Sequence, residues 1–335
     1  MNHLAIDLAA RQSQICLRRA DSEILIEEKR GTSRLAEWFG KLEPCTVILE
    51  TCAESDQVAA WAKQAGHRVR VVPATLSRQL GVGSRGVKTD IRDARALSLA
   101  SCRIELPAVH LKSKTSRERL QLLNSRHSMV TARTQLINTV RGYLRARIVR
   151  VRSSPEHFPA NVRKTLLDTP DGLPGHIDSL LRTIETLNVE IKTTTTEIES
   201  VVKQDPVCQL LMSIPGIGPI TSLAFTSVLD SPGRFPSAAA VGSYLGLTPG
   251  EHSSGDRVRR TGITKAGAVS VRRYLTQASL TMRRVAKRDP NVQWSDGIAK
   301  RRGGQVATIA LARKLTGIMW AMWRDQTRYQ PGRPM

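Results

Sequence analysis

Aromatic side chains are scarce in this chain: four Phe, four Tyr and five Trp, 4% of 335 residues. Base-stacking platforms must therefore be few, and any nucleic-acid binding has to rest mainly on phosphate contacts. Cysteine is sparse too. Cys16, Cys45, Cys52, Cys102 and Cys208 are scattered with no CxxC pair, which argues against a zinc site or a disulfide framework and suits reduced cytoplasmic thiols. The longest apolar stretch, Val306 to Trp323, is broken by Arg313 and Lys314, so no membrane span is expected. Met1-Asn2-His3-Leu4 runs straight into a polar-punctuated strand, with no pattern of a signal peptide. Acidic residues also fall short, 29 Asp and Glu against 51 Lys and Arg, for a net charge of +22. That balance is unusual for an enzyme of small metabolites and points to a polyanionic partner, nucleic acid above all. Hydrophobic residues make up 40% of the chain, which excludes wholesale disorder.

The charge is unevenly placed. Residues 1–110 carry 16 basic and 13 acidic side chains, residues 111–164 carry 13 and 2, residues 165–205 carry 3 and 8, and residues 206–335 carry 19 and 6. A basic excess as dense as that of 111–164 repels itself and asks for an anion to offset it. Three regions are expected on this basis: a mixed α/β domain over 1–110, a helical linker over 111–205, and a mainly α domain over 206–335.

In the first region Leu4–Leu8 and Gln14–Leu17 read as paired strands, with Glu23–Glu28 a third. Ser33 is placed to N-cap a short helix bearing Leu35, Trp38 and Phe39. Thr46–Leu49 is a continuous apolar run, the mark of a central strand. A helix from about Asp56 to Gly66, a strand Val69–Val72 and a helix starting near Thr89 complete the pattern. Three strands followed by alternating helices and strands fit a ribonuclease-H-like sheet, with a flavodoxin-like sheet as the alternative. The linker shows two helical stripes, Leu120, Leu123, His127, Val130, Thr134 and Ile137, then Ile177, Leu180, Leu181, Ile184, Leu187 and Ile191. Pro155, Pro159, Pro170 and Pro174 separate them, so an antiparallel coiled-coil arm or a plain bundle is expected. In the third region Pro215-Gly216-Ile217-Gly218 resembles the turn of a helix-hairpin-helix module, whose backbone N–H groups contact phosphates.

Four carboxylates stand out. Asp7 lies inside an apolar strand, where an unpaired charge is costly to bury. Glu50 closes the run Thr46–Leu49, and Asp90 and Asp93 share one face at a helix start. In a ribonuclease-H-like sheet the strands of Asp7 and Glu50 are neighbours and the helix of Asp90 and Asp93 crosses their ends. Converging acids repel one another unless a hard cation sits among them, and Mg²⁺, bound by oxygen, is the natural one.

Ala5-Ile6-Asp7, Ile48-Leu49-Glu50 and Lys88-Thr89-Asp90-Ile91-Arg92-Asp93-Ala94 resemble motifs of the DEDD transposases of bacterial insertion sequences, the family that includes Piv-type site-specific DNA invertases. Ser213-Ile214-Pro215-Gly216-Ile217-Gly218, Gly246-Leu247-Thr248-Pro249, Ser253-Ser254-Gly255 and Ile263-Thr264-Lys265-Ala266-Gly267 resemble the same family's transposase domain, in its order and approximate spacing. The likeness spans roughly residues 4–325. It implies a RuvC-like nuclease domain holding Mg²⁺ through Asp7, Glu50, Asp90 and Asp93, and a second domain whose serine attacks DNA, Ser254 by motif position with Ser253 as fallback. It implies guidance by a structured noncoding RNA from the element, action on donor and target DNA, and dimers that assemble into tetramers, one subunit's carboxylates facing another's serine. Ala53 departs from the pattern, which usually has Gly three residues after the glutamate. Lys88, Arg257, Arg259, Arg260, Lys265, Arg272 and Arg273 would then clamp phosphates, and the protein would work in the bacterial cytoplasm at the nucleoid. Two other readings use fewer of these residues: a metal-dependent junction resolvase acting through the carboxylates alone, and a nucleic-acid-binding protein whose acidic cluster is structural.

Overall fold

A computed structural model describes residues 1–80, 89–170, 172–254 and 257–332, with the backbone alone described at 77, 78, 252–254, 257, 258 and 260. The chain divides into two compact units, Met1–Lys112 and Ser113–Met335.

The first unit contains β1 (His3–Asp7), β2 (Gln12–Arg18), β3 (Ile24–Gly31), α1 (Leu35–Phe39), β4 (Thr46–Glu50), α2 (Ser55–Gln64), β5 (Arg68–Val72), α3 (Leu76–Gln79) and α4 (Asp90–Arg103). The sheet runs β3-β2-β1-β4-β5. Hairpin pairing makes β1, β2 and β3 antiparallel, whereas β1, β4 and β5 are parallel, as strands joined through a helix must be. The antiparallel half removes an all-parallel flavodoxin-like sheet. Alternation along the strands sends Leu4, Ile6, Ile15, Leu17, Val47 and Leu49 to one face, against Leu35, Phe39, Val58 and Ala62 of α1 and α2. Ala5, Ile48 and Val72 take the opposite face and pack on Leu97 of α4. Both faces are covered, which is why β4 reads as an unbroken apolar run. The expected cap at Ser33 differs from the structure: Thr32–Arg34 form a 3₁₀ turn, and α1 follows it with no side-chain cap. The Thr89 hydroxyl does cap α4, accepting from the Arg92 N–H.

The second unit contains α5 (Lys114–Ala146), α6 (Phe158–Leu167), α7 (Gly175–Gln204), α8 (Pro206–Leu211), α9 (Pro219–Leu229), α10 (Ala238–Tyr244), β6 (Pro249–Ser254), β7 (Arg257–Ile263), α11 (Val269–Val285), α12 (Pro290–Arg302) and α13 (Gly304–Asp325). Its core surrounds α9, in which every residue from Ser222 to Leu229 is buried. Leu275 and Met282 of α11 and Leu311, Leu315 and Met319 of α13 join that core, and so do Leu123 of α5 and Ile198 and Val202 of α7. Residues 111–205 therefore do not stand apart as an arm: their two long helices share a core with the C-terminal helices. Their far ends enclose a smaller cluster built from Ile137, Val140, Leu144, Phe158, Val162, Ile177, Leu181 and Ile184. Arg119 pairs with Asp205 at 2.7 Å, and Arg163 of α6 pairs with Asp178 at 2.8 Å and with Glu185, both on α7. Among the described residues no helix is long and apolar enough to cross a membrane.

Candidate active site

Asp7 and Glu50 end two neighbouring parallel strands. Ile6 is level with Leu49, so the next residues, Asp7 and Glu50, are level with each other. They follow the alternation of Ala5 and Ile48, which places both on the face covered by α4. Helix α4 runs antiparallel to β1. Ser101, near its C-terminus, hydrogen-bonds His3 at 2.7 Å, and Ser98, one turn earlier, meets Arg18 at 2.9 Å and Cys16, the partner of Ala5, at 3.1 Å. Continuing in that direction carries the first turn of α4 to the ends of β1 and β4 where the acids sit. Asp93 lies on the buried side of that turn, 2% exposed. Asp90 lies on its open side, 4.0 Å from Lys29, and Lys29 is aligned with Gln14 and, through it, with Asp7. The helix N-terminus adds partial positive charge next to this acidic group.

The donors suit a hard divalent cation in kind, since all are carboxylate oxygens. Among the described residues no three His, Cys, Asp or Glu side chains close into a preassembled metal cage. Mg²⁺ does not ask for one: it keeps several waters and is typically held by one or two carboxylates together with substrate phosphate. The level pair Asp7 and Glu50 fits that pattern.

The second unit carries the serine candidates. Ser253 and Ser254 end β6, and the ribbon registers Ser254 with Arg257, Ser253 with Val258, His252 with Arg259 and Glu251 with Arg260. Gly255 lies outside the described residues. The ribbon rises from two loops locked together at its base. The Thr264 N–H donates to Thr248 O at 2.9 Å and the Lys265 N–H to Gly246 O at 3.2 Å. Gly246 and Gly267 both have positive φ, and a Cβ on either would stand 2.1 Å from a carbonyl oxygen of the facing loop, Ala266 O or Tyr244 O. Neither position admits another residue without movement.

The basic residues expected at phosphate fall into different settings. Arg259, Lys265 and Arg273 are exposed, with Arg273 Nη1 3.5 Å from His127 Nε2. Only the backbone is described at Arg257 and Arg260, and Lys88 lies outside the described residues. Arg272 differs from its neighbour: it is 9% exposed, and its Nη1 donates to Leu245 O at 3.1 Å, Gly267 O at 3.2 Å and Ala266 O. Its guanidinium fills the base of the ribbon instead of facing solvent. Helical spacing carried the signal, since Arg272 falls three and seven residues before Leu275 and Ser279, both buried. The Pro215-Gly216-Ile217-Gly218 turn also faces inward in part. Gly216 has φ +90°, and a Cβ there would lie 2.7 Å from Ala278 O of α11, so this glycine serves a close helix approach.

The chain matches two family models. One, described as "Transposase" with DEDD in its name, covers residues 4–147, and the other, "Transposase IS116/IS110/IS902 family", covers residues 208–293. The two matches contain the four carboxylates and the ribbon bearing Ser254. The chain belongs to the DEDD family of insertion-sequence transposases. Among curated proteins it is 27% identical to the "Probable family 20 transposase" of Pseudomonas aeruginosa, over 99% of both chains. It is 26% identical to the "Transposase for insertion sequence element IS1111A" of Coxiella burnetii, over 98% of this chain and 91% of that one. The "Transposase for insertion sequence element IS1328" of Yersinia enterocolitica is 25% identical over 97% of both. A transposase of this family is an enzyme that cuts and rejoins DNA, and its DEDD-type nuclease domain uses a divalent metal.

Proposed function

We propose that this DEDD transposase moves its insertion sequence by a serine-based, RNA-guided recombination in which Ser254 becomes covalently joined to DNA. The observation that carries the metal half is the level pair Asp7 and Glu50 at two strand ends, with the first turn of α4 directed to the same place. In this reading the unit over 1–112 is a ribonuclease-H-like, RuvC-like nuclease domain. Asp7 and Glu50 hold Mg²⁺, with Asp93 and Asp90 completing the charge around it. A bound Mg²⁺ polarises the scissile phosphate and stabilises charge on the attacked or leaving oxygen.

The serine half rests on family membership and on the ribbon register. In the backbone register Ser254 is opposite Arg257 and Ser253 is opposite Val258, so Ser254 has the position better suited to phosphate. Its Oγ attacks phosphorus, a P–O bond to serine forms as a P–O bond to sugar breaks, and the serine proton passes to the departing sugar oxygen. One phosphodiester replaces another, so rejoining needs no external energy source. Arg257, Arg259, Arg260, Lys265 and Arg273 position the backbone, and Lys88, two residues before Asp90 in the sequence, is assigned the same role. Copies of the chain assemble as dimers and tetramers on donor and target DNA, so that one copy's carboxylates work with another's serine. The element's RNA supplies target sequence by base pairing, in keeping with a protein poor in aromatics and rich in basic residues.

The decisive experiment is covalent trapping. Protein, Mg²⁺, element-encoded RNA and end-labelled element DNA are mixed, denatured and resolved on a gel. A DNA–protein adduct that persists in Ser253→Ala and vanishes in Ser254→Ala is expected. Cleaved DNA without an adduct in wild type overturns the serine mechanism in favour of a hydrolytic nuclease that activates water.

A further inference from the structure

We infer that Gln14 is a positioning residue of the carboxylate site: its Oε1 accepts a hydrogen bond from water bound to the divalent cation held by Asp7 and Glu50. This rests on the metal site proposed above and extends it to a side chain that the DEDD motif does not include. Gln14 is opposite Asp7 in the β1–β2 pairing, on the face α4 covers, and side chains so paired have Cβ atoms about 4.5–5.5 Å apart. It is 3% exposed. Its Nε2 donates to the carbonyl of Ile15 at 3.4 Å. A carbonyl can only accept, so the amide nitrogen belongs there and the oxygen is left over. That Oε1 is buried with no hydrogen-bond partner among the described residues.

Two further groups on this face of β2, Cys16 and Arg18, are served by α4. The Arg18 guanidinium donates to Ser98 Oγ at 2.9 Å, and the Ser98 hydroxyl donates to Cys16 Sγ at 3.1 Å. Gln14, the member level with Asp7, differs from them. A buried orphan acceptor is costly, and the residue opposite Gln14 in the register is Asp7, a proposed ligand of the cation. The Gln14 Oε1 calls for a donor. A water on a divalent cation is such a donor, polarised by the ion, and Mg²⁺ retains several of them. Residues in this outer position orient the inner shell, and losing one typically weakens metal binding about 10–100-fold.

The test is Mn²⁺ binding to the full chain, followed by the electron paramagnetic resonance signal of free Mn²⁺, together with metal-free melting curves. Wild type, Gln14→Met, Gln14→Leu, Gln14→Glu and Asp7→Asn are compared. Met is an unbranched near-isostere and Leu a second apolar replacement, so folding can be checked on both. Their melting temperatures without metal should equal or exceed that of wild type, because an unsatisfied acceptor is gone, while Kd for Mn²⁺ rises about ten-fold or more. Gln14→Glu keeps an acceptor and should restore binding. If folded Gln14→Met and Gln14→Leu bind Mn²⁺ as wild type does while Asp7→Asn does not, the role of Gln14 is overturned and the site stands. If Asp7→Asn leaves Mn²⁺ binding intact, the site itself is misplaced and the role of Gln14 falls with it.

Discussion

Replacing Arg272 by Met should cost folding stability in the unit Ser113–Met335 and not merely weaken DNA binding. The guanidinium bridges three carbonyls, those of Leu245, Ala266 and Gly267, and so ties the loop before β6 to the loop after β7. A hydrogen bond from a charged group contributes about 1.5–3 kcal/mol, and carbonyls left buried without a donor add to the loss. One nitrogen shared among three acceptors does not give three full bonds, so a loss of about 3–4 kcal/mol is expected for the variant. For a unit of this size each kcal/mol shifts the melting temperature by roughly 2–4 °C, which makes the drop about 6–16 °C. Differential scanning calorimetry of Arg272→Met and of Arg273→Ala separates the two roles. Arg273 is exposed, and its substitution should stay within about 0.5 kcal/mol while weakening DNA binding at low salt. An Arg272→Met protein that melts with wild type but binds DNA less tightly would refute the structural role and return Arg272 to the phosphate contacts.

Loop packing and thiol burial each carry a further expected outcome. Gly267→Ala must place a Cβ 2.1 Å from Tyr244 O at a φ of +70°. The left-handed backbone alone costs about 1–2 kcal/mol and the clash adds to it, so its melting temperature should fall, whereas Gly262→Ala, with open space around its Cβ, should melt near wild type. Burial pushes the Cys45 and Cys208 thiols up from an ordinary 9.0 to about 11. The folded protein thus holds protons that the unfolded chain releases first, so this contribution to stability is complete below pH 9 and is lost as pH rises towards 11. Denaturant midpoints measured from pH 8 to 11 should fall over that window, and Cys208→Ala should flatten the fall in the second unit; an unchanged slope would remove Cys208 as its source.

The sheet was legible because its signals are local. Hairpin-spaced strands, an apolar run at Thr46–Leu49 and a helix start near Thr89 each leave a mark in a few consecutive residues, and β1, β2, β4 and α4 lie where those marks fall. Asp7 drew notice as a candidate for the same reason, as a charge inside an apolar strand. Gln14 was not. Both faces of β2 are covered, so Ser13, Gln14, Ile15 and Cys16 are all buried, and alternation could not show which side a polar residue takes. Its partner Asp7 emerges only from register, a long-range property. The division at residue 205 rested on composition alone. The acidic stretch 165–205 differs in composition from the basic stretch 206–335, but Ile198 and Val202 are buried with Phe225 and Leu275, and composition does not report which apolar stripe meets which.

Charge counting needs the same refinement. The excess over 111–164 asked for an anion, and part of the answer lies within the chain: Arg119 and Arg163 reach Asp205, Asp178 and Glu185 at the two ends of α7, while Arg126 and Arg133 meet Thr195 and Asn188 along it. Farther on, Arg283 is paired with Asp296 at 2.9 Å and Arg272 is capped by carbonyls. Such residues still add to the long-range field that draws a polyanion in, but they have few donors left for a phosphate. Side chains with donors open to solvent include Arg141, Arg145, Arg150 and Arg152 at and beyond the far end of α5 and Arg259, Lys265 and Arg273 near the ribbon, and on the reading proposed above these would carry the contacts. Because each phosphate contact contributes close to one unit of salt dependence, the salt slope of DNA binding measures this exposed subset. Net charge measures the field, and the two quantities part wherever an arginine is turned inward.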